Sequence, residues 1–176
     1  MPYDEGMEAR DRMLREARRL TIENGVVPSL NAVVAAAGVS KGGLIHHFPS
    51  RNALIDALGR QALAEVDAAM VEAAEHGQAA RVWLRLSVPH AEERDVYGAL
   101  LVAYQVIHVQ LGSLVQDAAA MTVRWEALIA AQLGDANQAH VVRLVGDGLI
   151  ANALIAPDAV MDDTQIDRLL ATITGR

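Results

Sequence analysis

The chain has 176 residues, 52% of them apolar, no cysteine and a formal net charge of −7. That length supports one ordinary core, or a small domain joined to a larger one. The lack of cysteine excludes a disulfide frame, a thiolate zinc site and a cysteine nucleophile. No apolar run is long enough to span a bilayer, and the polar stretch from Met1 to Arg12 has no signal-peptide pattern. A cytoplasmic protein with no membrane contact is expected. The acidity is uneven: residues 1–60 hold eight Lys/Arg against seven Asp/Glu, and the remainder holds seven against fifteen.

Nothing reads as β. Ala, Leu, Arg, Glu and Gln dominate, and apolar positions recur at three and four, so an all-α chain is expected. A first helix is predicted from about Glu8 to Glu23, with Met13, Ala17 and Leu20 on one face and Asn24-Gly25 ending it. Ser29 is placed to cap a second, short helix, whose stripe is Leu30, Val33, Val34 and Ala37. Gly38 stops it. Ser40 caps a third helix from Lys41 to about Phe48. Pro49 blocks continuation, and Ser50 caps a fourth that buries Leu54, Ile55 and Leu58 and runs to about Glu75.

Further helices are predicted at about Ala79–Ser87, Arg94–Gln110, Leu114–Gln132, Asn137–Ile155 and Thr164–Thr172, with Gly112-Ser113 as a break. The domain division expected is 1–50 and 51–176, with the fourth helix belonging in part to both.

Helices two and three are separated by only Gly38-Val39-Ser40. Two short helices with a Gly-containing turn form the helix-turn-helix layout, in which the front of the second helix meets the bases of a major groove. That front reads Ser40-Lys41-Gly42-Gly43. Each glycine costs roughly 1 kcal/mol relative to Ala in a helix. Close approach of bare backbone to a groove wall, or of free N–H groups to a phosphate, would offset that cost.

Ser29 to Leu58, SLNAVVAAAGVSKGGLIHHFPSRNALIDAL, resembles the helix-turn-helix signature of the TetR family of bacterial regulators. The match covers Gly38-Val39-Ser40-Lys41, Leu44, His47-Phe48, Ser50-Arg51 and Leu54. The resemblance implies an N-terminal three-helix DNA-binding domain fused to a helical ligand-binding and dimerisation domain. It implies that Lys41, Gly42, Gly43, Ile45 and His46 face DNA. Asn31 with Ser29, His47, and Arg51 would meet phosphates, while Leu44 and Phe48 pack inward. Two departures stand out. Ile45 occupies a position where the family usually has an aromatic residue, most often Tyr, and Gly43 replaces a small hydroxyl residue. A Tyr hydroxyl donates to phosphate and Ile does not; Ile45 is expected on a thymine methyl instead.

In the later region, Tyr97, Leu101, Tyr104 and His108 recur at spacings of four, three and four, with Gln105 beside them. Polar groups converging on an apolar stripe suit a small-molecule effector site, with Trp83, Met70, Met121 and Trp125 as candidate walls. Val142, Val145, Leu149 and Ala153, with Gly146 and Gly148 between them, form one stripe; Ile166, Leu169, Leu170 and Ile173 form another. By resemblance, these two helices would meet their symmetry mates in a homodimer. No cofactor and no metal is expected, because the adjacent His46 and His47 point in different directions. Nor is catalysis: His76, His90, His108 and His140 are dispersed, with no metal or hydrolase spacing. The function expected is a ligand-responsive regulator, a repressor in type, binding a palindromic site on double-stranded DNA. The alternative is a helix-turn-helix relative that acts through protein partners, for which the near-neutral reader and Ile45 speak.

Overall fold

A computed structural model describes residues 2–88, 112–156 and 161–175. Among them are eight helices and no strand: α1 (Pro2–Asn24), α2 (Leu30–Ala37), α3 (Lys41–His47), α4 (Arg51–Glu75), α5 (Ala79–Leu86), α6 (Gly112–Leu133), α7 (Ala136–Ile155) and α8 (Asp163–Thr174). The expected helix at about Arg94–Gln110 lies outside the described residues.

The helix ends follow local chemistry. Ser29 Oγ accepts from Ala32 N at 3.2 Å, and Ser40 Oγ accepts from Gly43 N at 3.0 Å. Gly38 closes α2 at φ 63°, a left-handed conformation that glycine adopts without a Cβ penalty. Ser50 Oγ accepts from Ala53 N at 3.1 Å to open α4.

Three ends differ from expectation. α1 begins at Pro2 rather than Glu8; a proline at the first helical position has its φ already set and lacks only an N–H that would be orphaned there. Gly112-Ser113 is not a break but the first turn of α6, where Ser113 Oγ accepts from Arg60 Nη2 at 3.2 Å. α8 starts in a capping box, with Gln165 N donating to Asp162 Oδ1 and Asp162 N to Gln165 Oε1, at 2.8 and 2.9 Å.

The described residues form two compact units, one of 2–61 with 112–115 and one of 62–88 with 116–156 and 161–175. The core of the first joins Met13, Leu14 and Ala17 of α1, Val33 and Ala37 of α2, Leu44 and Phe48 around α3, and Leu54, Ile55 and Leu58 of α4. These are the apolar faces that the 3.6-residue period predicts. The second core gathers Met70, Trp83, Leu84, Trp125, Ile129, Val142 and Ile166. There α5 is tied to α8 by Arg81 Nε to Asp167 at 2.6 Å and Arg85 Nε to Asp163 at 3.1 Å.

Candidate nucleic-acid interface

The first unit holds α3 by its inner side. Leu44 and Phe48 are fully buried, and the guanidinium of Arg10 lies over the Phe48 ring, 5.6 Å from its centroid. The opposite side is bare. Lys41, Gly42 and His46 are exposed, His47 is half-buried, and Ile45 leaves 44% of its surface in water. A large aliphatic side chain at the centre of an exposed face, one turn from a lysine, gains nothing within the unit.

The two glycines at the front of α3 are not demanded by internal packing. A Cβ at Gly42 would come no closer than 4.0 Å to any neighbour, and one at Gly43 would meet only Ser40 Oγ, at 3.3 Å. Packing among the described residues therefore does not call for glycine at either position.

Ser29 and Asn31 sit exposed at the start of α2. The hydroxyls of Ser29 and Ser40 accept from backbone N–H groups, which leaves each O–H able to donate outward. Arg51 is exposed at the start of α4, and its Nη2 donates to the Val27 carbonyl at 2.7 Å. This bond staples α4 to the loop before α2 and leaves further guanidinium donors.

One signal in the sequence was missed by periodicity alone. Between Glu23 and Asp56 there is no carboxylate, while Lys41, Arg51, His46 and His47 all lie in that interval. The near-neutral total of residues 1–60 hides a reader segment that is free of negative charge.

The residues expected around an effector fall into two groups. Tyr97, Leu101, Tyr104, Gln105 and His108 lie outside the described residues. Trp83 and Trp125 are buried in the second core, with ring centroids 5.6 Å apart. Their indole N–H groups are satisfied internally, Trp83 by the Arg143 carbonyl at 3.2 Å and Trp125 by Asp67 Oδ1 at 3.0 Å. Met121 packs half-buried against this cluster, and Met70 is fully buried in it.

Of the stripes expected at a dimer interface, all but Ala153 belong to that core or pack against it. Val142, Ala153 and Ile166 are buried, and Val145, Leu149, Leu169, Leu170 and Ile173 pack half-buried against them or their neighbours. The apolar side of α7 that is left in water is a different one: Val141 at 44%, Leu144 at 49% and Ile155 at 84% exposed, with the exposed Ala151 and an unobstructed Gly148 in the same row. Among the described residues no three His, Cys, Asp or Glu side chains are placed to hold a metal ion, and no helix is long and apolar enough to cross a membrane.

Two short helices, the second bared along one face and carried by a helical body, define a helix-turn-helix protein of the DNA-reading class. Residues 13–58 match the family of bacterial regulatory proteins described as the tetR family. Over this segment the chain is similar to that family, and the match supports a DNA-binding transcriptional regulator. No curated protein matches the chain.

Proposed function

We propose that the protein is a ligand-responsive repressor that binds a palindromic operator as a homodimer. The observation that carries this reading is the outer face of α3, where Lys41, Ile45 and His46 stand exposed on a segment without carboxylates. In the proposed complex α3 enters a major groove. Lys41 reads guanine O6 and N7 or sits on phosphate, Ile45 touches a thymine methyl, and Gly42 and Gly43 let the backbone come close. Ser29, Asn31, Ser40, His47 and the free donors of Arg51 hold phosphates on either side.

The homodimer is assigned to the outward row of α7: Val141, Leu144, Gly148, Ala151 and Ile155. Val142, Ala153 and Ile166 already have their surface covered within the subunit, so they support the pairing helix from behind rather than meet the partner. Half-buried Leu169, Leu170 and Ile173 contribute its margin. A two-fold dimer presents two copies of α3 to successive major grooves, about 34 Å apart. A small molecule, held either by Trp83, Met121 and Trp125 or by the 97–108 stripe, shifts the equilibrium between arrangements that fit this spacing and arrangements that do not. A coupling of roughly 1–3 kcal/mol changes DNA affinity about 5- to 150-fold. The protein acts in the cytoplasm, on the chromosome, as a binding protein without catalysis.

Footprinting on DNA upstream of the protein's own coding region tests the reading. A salt-sensitive, palindromic protected site is expected. Absence of any retardation at low salt would instead favour a helix-turn-helix relative that works through protein partners.

A further inference from the structure

Of the four side chains able to carry positive charge between Glu23 and Asp56, two are permanently charged, Lys41 and Arg51, and two are the imidazoles of His46 and His47. We propose that operator binding is proton-linked through His46 and His47, so that DNA is held more tightly as pH falls from about 8 to about 6. The inference rests on the DNA-reading role of α3 proposed above and adds a regulator of it.

The geometry favours such linkage. His46 is exposed and His47 half-buried at the C-terminal turn of α3, with ring centroids 5.2 Å apart. Among the described residues no carboxylate lies within ion-pair distance of either ring. Several charged groups of the neighbouring elements have other partners. α2 has no ionisable side chain. From α1, Arg10 lies over the neighbouring Phe48 ring, with Asp11 4.0 Å from it. From α4, Arg51 is bound to the Val27 carbonyl, and Asp56 is paired with Arg60 at 2.8 Å. Lys41 is the remaining charge on α3 itself. Two imidazolium ions this close repel each other. A duplex backbone reverses the balance, because phosphates beside the rings favour the protonated form. Imidazole changes charge across pH 5 to 8. Protons taken up on binding then make affinity depend on pH, with a ceiling of about tenfold per pH unit for each proton.

The test uses the full chain and the footprinted operator in fluorescence anisotropy at constant ionic strength, between about pH 6 and pH 8, the range where histidine titrates. The wild type is expected to bind roughly tenfold or more tightly at the lower pH. Lys41→Ala weakens binding at every pH and keeps the slope. The double variant His46→Gln/His47→Gln loses the slope, whatever its overall affinity. Calorimetry of the wild type in buffers of different ionisation enthalpy supplies an independent count, and net proton uptake on binding is expected. A wild-type affinity that does not change with pH, a slope that survives in the double variant, or zero proton uptake would each overturn the proposal. Failure of the DNA-reading role looks different: no specific binding at either pH.

Discussion

The indole of Trp83 occupies the space that a side chain at position 146 would need. A Cβ built on Gly146 stands 2.1 Å from Trp83 Nε1 and 2.6 Å from Ser87 Oγ, while that Nε1 donates to the carbonyl of Arg143 one turn earlier on α7. α5 and α7 are thus in contact at a point where only glycine fits. Gly146→Ala should displace the indole, break its hydrogen bond and destabilise the second unit by about 1–3 kcal/mol. Thermal unfolding followed by tryptophan fluorescence reads this, and an unchanged melting temperature would show that the packing is looser than described.

Lys41 is exposed at the front of α3 and plays no part in the core. Lys41→Ala should leave folding intact and weaken operator binding by about 1–3 kcal/mol if the lysine reads a base. A purely phosphate contact would instead lower the salt slope by about one and weaken all sequences alike. Titrations of operator and scrambled DNA at two salt concentrations separate these outcomes.

Ser40 closes the turn of the motif by accepting from Gly43 N. With two glycines following, α3 has little intrinsic helical tendency, and its cap matters accordingly. Ser40→Ala should cost about 1 kcal/mol. Urea denaturation should show this as a lower midpoint with an unchanged slope, and DNA affinity should fall with it.

Leu144 lies on the outward row of α7 at 49% exposure. Leu144→Glu should be tolerated by the subunit, whose core it does not enter, and should split the proposed homodimer. Sedimentation velocity is expected to show a folded monomer that no longer protects a palindromic site. A variant that stays dimeric would move the interface elsewhere.

Glu126 joins α6 to α7. It accepts from Arg143 Nε at 2.5 Å, with His140 Nδ1 at 3.1 Å, and Arg143 also pairs with Asp147. The hydrogen bond from Arg143, then that from His140, holds the Glu126 carboxyl below its ordinary range. A carboxylate lowered in the folded state stabilises fully above its unfolded value of about 4.3 and loses that contribution as pH falls through the folded one. The stability advantage of the wild type over Glu126→Gln should therefore shrink on acidification below about pH 4.3. Melting curves taken down the acid range check the direction.

Much of the reader was legible because its punctuation is local. Ser29, Gly38, Ser40 and Ser50 mark their helix ends through bonds that span three residues or a single left-handed glycine, and neither depends on distant packing. The Asp162–Gln165 box was equally local in its spacing and was overlooked because the run after it is short. Gly112-Ser113 misled for the opposite reason: the turn is helical, and its Ser113 hydroxyl meets Arg60, 53 residues away in sequence. α7 was the hardest to read. It is apolar on two sides, with Val142, Val145 and Leu149 toward the core and Val141, Leu144 and Ile155 away from it, so its periodicity does not say which row faces inward. Burial by α5 and α8 decides that, and it is a tertiary fact.

In the proposed homodimer, that double-sided helix would tie supply to activity. A lone subunit leaves aliphatic side chains of α7 in water, and pairing with another copy would cover them. Because pairing depends on the square of free subunit concentration, halving synthesis removes more than half of the operator-competent form when subunits are scarce. The cell would then read the regulator's own abundance steeply, before any effector enters.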